Sequence, residues 1–353
     1  MKRVSAWQIA VAFTGSFLGA GFVSGQELLQ FFGNFGGYGL IGMVLTIISF
    51  GVFGYLCMII AKRKKMTDFE KVIVRKEESR LRPVFGAIVV FYLFGVMVIM
   101  VAGAGSLVQN LFGIPAWLAN TVMTVLVILV AILGAQGLLA SFELLVPLLA
   151  VAALIISIVV FVKNGPGSVT FTAFSGSNPL LGNWVFAVIS YVAYNLMAAI
   201  SILVPLSEQT KNEAVIRKGM IMGTLVLTVI FAGVLLPITF SHRPMIETAA
   251  MPMLEFARMV GSVMGMIYTI LLLGGMFGGA LSSLYAITAR VRKIGPLKGT
   301  PLLIVLSALA LGGSMFGFKN LVSTVFPVFG YLGFFSLPCI LEHYLHICRE
   351  KKK

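Results

Sequence analysis

The chain has 353 residues, 59% of them hydrophobic and 11% charged, with a mean hydropathy of +1.03; an ordinary water-soluble domain is excluded, because it has too little interior to bury that much apolar side chain. The formal net charge of +14 does not argue for nucleic acid, since Lys and Arg gather at alternate ends of apolar runs, where membrane topology accounts for them. Cys57, Cys339 and Cys348 are too few and too scattered for a disulfide framework or a metal cluster.

Apolar runs of about 20 residues, enough as helix to cross roughly 30 Å of hydrocarbon, recur along the whole chain and predict one membrane domain over 1–353. Ten spans are expected, at 8–32, 37–61, 84–111, 116–134, 139–162, 183–206, 218–240, 255–289, 300–317 and 320–345. The opening "MKRVSAWQIAVAF" enters the first span without a small-residue cleavage motif, so no removable signal peptide is expected. With the N-terminus in the cytoplasm, 22 of the 26 Lys and Arg fall on inner segments, leaving Lys163, Arg243, Arg258 and Lys319 outside. The positive-inside rule therefore predicts a multi-pass membrane protein with both termini cytoplasmic.

The first span holds "GSFLGAGFVSGQELLQFFG", with Gly19, Gly21 and Gly25 near its centre. Each costs roughly 1 kcal/mol of helix propensity relative to Ala. A break there frees backbone amides and carbonyls that hydrocarbon cannot satisfy and a bound ion or polar solute can. The alternative is close helix packing through the GxxxG pairs Gly15/Gly19 and Gly21/Gly25. The polar run Ser24, Gln26 and Glu27 favours the break, because packing needs no carboxylate. An ionisable side chain at a span centre costs about 2.5 to 3.5 kcal/mol on insertion scales. Glu27 would sit in the first turn of the second half-helix, where the macrodipole favours negative charge. There it competes with a substrate carboxylate, pairs with a cationic amine, carries a proton or simply faces an outer vestibule.

The basic run 62–82 after span 2 alternates charge with Val72, Ile73 and Val74, which predicts a short amphipathic segment on the anionic inner leaflet. Glu143 opens span 5 as a structural or gating carboxylate. Span 6 carries Tyr191, Tyr194 and Asn195 at its centre and Pro205 toward its inner end. Glu342, His343 and His346 close the last span, where a polar cap is a simpler reading than a metal site.

The spans divide into two sets of five, about 8–162 and 183–345, matched in loop lengths and long third members. An odd number per set reverses the second set relative to the first, as in inverted-repeat transporters whose sites lie at interrupted helices near the midplane. The 5+5 layout, "GAGFVSGQE" in span 1 and the polar centre of span 6 resemble the amino acid–polyamine–organocation superfamily with its LeuT-type fold. The N-terminal "FTGSFLGAGFVSGQEL" resembles more closely the uncharacterised bacterial YkvI-type membrane proteins. The resemblance implies an all-α fold with helices 1 and 6 both interrupted. It implies a substrate site at Gly19, Ala20, Gly21, Phe22, Gly25 and Glu27 together with Tyr191, Tyr194 and Asn195. In sodium-coupled members of that fold, span 1 carbonyls and span 8 hydroxyls hold a sodium ion. The resemblance would give those roles here to Gly15, Leu18 and Gly279 and to Ser282 and Ser283, whose alternative is small-residue packing. No other cofactor is implied.

The expected function is a secondary transporter, driven by sodium or protons, for a small polar solute such as an amino acid or related amine. The expected partners are that solute and the lipid bilayer, without nucleic acid. A solute sensor on the same fold is the alternative. An enzyme is disfavoured, because no phosphate-binding glycine loop, HExxH or serine-elbow motif occurs.

Overall fold

The computed structural model describes residues 4–66, 68–75, 81–133, 136–165, 171, 178–241, 246, 248–291 and 299–350. The Gly134 link and the side chain of Glu143 lie outside them. The first apolar run is three short helices, α1 (Ala6–Phe17), α2 (Ala20–Val23) and α3 (Gln26–Phe31). A capping box starts α1, the Ser5 hydroxyl accepting from the Gln8 amide and the Gln8 side chain accepting from the Ser5 amide. Next come α4 (Gly37–Lys64), the short α5 (Phe69–Ile73), α6 (Leu81–Phe112), α7 (Ala116–Ile132), α8 (Gln136–Asn164), α9 (Trp184–Glu208) and α10 (Glu213–Ser241). The remainder is α11 (Pro252–Val260), α12 (Ser262–Val291), α13 (Thr300–Ser314), α14 (Phe318–Gly333) and α15 (Ser336–Glu350).

Six described segments are long and apolar enough to cross a bilayer, and three more are shorter apolar helices. The expected eighth span is divided at Gly261 between α11 and α12, and the tenth between α14 and α15. The core lies where α9 packs on α4 and α14, α12 on α6, and α1 on α10.

One expectation is corrected. Span 6 is not interrupted, because α9 is a single helix from Trp184 to Glu208. The reason is local. Its polar centre contains no glycine, Pro205 lies only one turn from the C-terminus, and the Asn195 side-chain amide donates to the Tyr191 carbonyl at 3.1 Å within the same helix. The Asn195 amide is thus absorbed by the helix.

The loop segment α5 also differs from expectation. Phe69, Val72 and Ile73 are buried against α4, α6, α9 and α15 rather than offered to lipid. Arg290 of α12 pairs with Glu70 at 3.3 Å and lies 4.6 Å over the Phe69 ring. From the other side, His343 Nδ1 of α15 lies 2.8 Å from the Val72 carbonyl. His346 and Glu342 engage Glu350 and Arg75 instead. Among the described residues no group of three metal ligands forms.

Candidate functional site

The site is built around two interruptions in the first span. At Leu18–Gly19 the ladder ends in tightened turns, the Leu18 amide bonding to the Gly15 carbonyl at 3.3 Å and the Gly19 amide to the Phe17 carbonyl at 3.0 Å. Gly19 itself is extended, at φ −86° and ψ 167°. Val11, Gly15 and Gly19 form one exposed strip, as a four-residue spacing on a helix requires. A Cβ at Gly15 or Gly19 would meet nothing within 4 Å.

The second interruption is closed. Gly25 adopts a left-handed φ of 81°, which favours glycine, and a Cβ there would stand 3.0 Å from Ile238 and Met253. The Ser24 hydroxyl donates to the Gly21 carbonyl at 2.9 Å and accepts from the Gln26 amide at 3.4 Å. The Tyr268 hydroxyl of α12 donates to the Val23 carbonyl. The Met253 amide of α11 donates to the Ser24 carbonyl at 3.0 Å. Carbonyls that a broken helix leaves without partners are thus satisfied by α11, α12 and a local hydroxyl.

Glu27 lies in the first turn of α3, only 5% exposed, and folds back over α2. A Cβ on Gly21 would come within 2.7 Å of Glu27 Oε2, so this close approach requires glycine. The Tyr194 hydroxyl donates to Glu27 Oε1, and the Tyr194 ring stacks on Phe326 at 5.2 Å. Tyr191 packs edge-on to Phe31 at 5.1 Å and to Phe32 at 4.9 Å. Tyr92 approaches Tyr194 at 6.3 Å. Glu27 has no ion pair among the described residues. Both polar atoms of the Gln26 side chain are buried without a hydrogen-bond partner among the described residues. Such groups are costly unless something pairs with them.

The expected substrate residues therefore separate. Gly21, Glu27, Tyr191, Tyr194 and Asn195 gather at one buried locus. Ala20 is buried in α2 and Phe22 packs edge-on to Phe231 at 5.3 Å. Gly25 serves the backbone, and Gly19 faces the open strip. The expected sodium ligands divide as well. Leu18 and Ser283 are buried, whereas Gly15 and Ser282 are exposed, and a Cβ on Gly279 would lie 3.2 Å from Met100. Sequence reading passed over Tyr268, Phe326 and the side chain of Gln26 as site members. Only Gln26 carried a signal, an amide next to a carboxylate inside an apolar run.

No protein-family model matches the chain. Two relatives from Bacillus subtilis (strain 168) cover nearly all of it. Uncharacterized membrane protein YkvI is 27% identical over 340 residues, 96% of each chain. Uncharacterized protein YyaD is 24% identical over 340 residues, 95% of each chain. The chain is thus similar over nearly its whole length to these two uncharacterised proteins, the first of them a membrane protein. Among solved structures, the Eremococcus coleocola manganese transporter superposes with a TM-score of 0.65 at 15% identity, covering 95% of this chain and 78% of that one. MhsT in complex with L-phenylalanine gives 0.61 at 17% identity, covering 92% and 87%. A Na+-coupled sialic acid symporter in a substrate-bound outward-open state gives 0.56 at 13%, covering 96% and 78%. The chain has the LeuT-type fold of these transporters, none of which is an enzyme.

Proposed function

We propose that the chain is a secondary transporter that binds a small polar solute, an amino acid or related amine, beside the interrupted first span and moves it by alternating access. We place it in a bacterial inner membrane with both termini cytoplasmic, as ten spans in two inverted sets of five. The observation that carries the reading is Glu27, a buried carboxylate held by Tyr194 over Gly21, with no ion pair among the described residues. An uncompensated charge at this depth is expensive. Glu27 therefore serves as the place where a proton or the cationic group of the solute is held. Tyr194 fixes the carboxyl orientation, and the unpartnered Gln26 amide supplies a further donor and acceptor. The structural neighbours handle manganese, L-phenylalanine and sialic acid, so the fold alone selects no substrate. The coupling ion in this reading is sodium or a proton, with no step assigned to sodium.

The test is the thermal midpoint of the purified protein across pooled amino acids and amines in matched sodium and choline salts. A ligand at ~100 times its Kd stabilises the folded state by about 2.7 kcal/mol. Solutes that raise the midpoint are then assayed for uptake into proteoliposomes under imposed sodium or pH gradients. Gradient-driven uptake is expected. Binding without uptake would make the protein a solute sensor, and no midpoint shift in any pool would remove the assigned site.

A further inference from the structure

Away from the polar locus, α4 and α10 border an open groove lined mostly by apolar atoms. Its walls are Ile48 and Val52 on α4 and Ile221 and Leu225 on α10, each about half exposed or more. Its floor is polar only at Thr224, whose hydroxyl is already spent on the Met220 carbonyl at 2.8 Å. A Cβ on Gly51 would lie 2.7 Å from Thr224 Oγ1, so the missing side chain is what lets the two helices close beneath the groove.

One end is different in kind. Arg217 and Tyr55 both line it. The two helices run in opposite directions, so Arg217, one turn into α10, and Tyr55, nearer the Lys62–Lys64 end of α4, lie together toward the basic side of the membrane domain. Five other described arginines are engaged: Arg63 with Glu213, Arg75 with Glu342, Arg82 with the Val74 carbonyl, Arg258 with Glu255 and Arg290 with Glu70. Arg217 is exposed and has no ion pair or hydrogen bond among the described residues, and the Tyr55 hydroxyl has none either. A guanidinium presents paired donors matched to a phosphate. The groove leads from those donors away from the basic face, parallel to the helices, over about five to eight residues, or ~8–12 Å at 1.5 Å per residue.

We propose that this groove is a binding site for an anionic phospholipid of the leaflet on the basic side, with one acyl chain between α4 and α10 and the phosphate on Arg217 and Tyr55. Charge complementarity selects the headgroup, and the apolar walls select a chain over a soluble anion. A phosphate ion would use the arginine but leave the walls uncovered.

The experiment measures thermal midpoint and retained lipid adducts by native mass spectrometry for the full chain in detergent. The probes are phosphatidylglycerol, phosphatidylcholine of identical chains, and inorganic phosphate. Wild type is expected to prefer phosphatidylglycerol. Arg217→Gln should weaken that lipid about fivefold, the equivalent of roughly 1 kcal/mol for one basic group near a membrane surface. Leu225→Trp, which fills an exposed wall position, should reduce retention of both lipids, and Lys218→Gln should change neither. All three substituted positions are exposed, so a loss of binding is separable from a loss of folding by the ligand-free midpoint. Equal binding of the two lipids, full phosphatidylglycerol affinity in Arg217→Gln, or a response to inorganic phosphate equal to that of the lipid would overturn the proposal. A dimer dissociated by Leu225→Trp would overturn it in favour of a second copy of the chain.

Discussion

The two interruptions of the first span lie only a few residues apart, yet one is open and the other is sealed. At Leu18–Gly19 the backbone meets an exposed strip, and nothing stands within 4 Å of a Cβ on Gly19. At Ser24–Gly25 the chain turns through a left-handed glycine, and its carbonyls are taken up by Ser24, Tyr268 and Met253. The lesson is that a glycine-rich stretch in a membrane helix is not one device. Its first break leaves the chain accessible, while its second is held by α11 and α12 and aims Glu27 back over Gly21.

The largest effect is expected where the second break meets the carboxylate. Gly21→Leu would place a side chain against Glu27 Oε2, 2.7 Å from the Cβ position, and against the Phe326 ring at 3.4 Å. Overpacking of this kind costs about 1–3 kcal/mol, and here it also displaces the carboxylate. Solute binding should vanish while the protein still reaches the membrane; an unchanged affinity in the variant would remove Glu27 and Gly21 from the site. Next is Glu27→Gln, which keeps the shape and removes the titrating group. Transport or solute-induced stabilisation should lose its dependence on pH or cation, with expression retained, and an unchanged profile would return Glu27 to a packing role.

A smaller effect tests the seal itself. Tyr268→Phe deletes the donor to the Val23 carbonyl, and an unsatisfied buried acceptor costs about 1–3 kcal/mol. The folded state should lose that much stability, read as a lower thermal midpoint, and a variant as stable as wild type would mean the second break is not held from α12. The smallest effect belongs to the open break. Gly19→Ala places a methyl in free space at an ordinary φ of −86°, so stability should stay within about 0.5 kcal/mol of wild type. A loss comparable to that of Gly21→Leu would erase the distinction between the two breaks.

Much of this was legible in the residues. Hydropathy located the helices to within a few positions, and the glycines with Glu27 marked the broken span, because backbone propensity and the cost of a buried charge are local properties. The unbroken α9 was misread, because the resemblance supplied an interruption that its own residues do not encode. Tyr268 and Phe326 were hidden for a different reason. Tyr268 is 245 residues from the carbonyl it satisfies, and such a contact exists only once the bundle has formed. The burial of α5 was missed on similar grounds, since an amphipathic segment reads alike whether lipid or protein covers it.

The clamp on α5 has a mechanical consequence. It is tied to α12 through Arg290 and to α15 through His343, so a short loop helix acts as a strut across the basic face. If either long helix tilts away from its neighbours there, the ion pair and the ring contact, or the imidazole contact, must yield first. The ties across that face thus run in part through a handful of loop residues outside the bundle's long helices, separate from the polar locus.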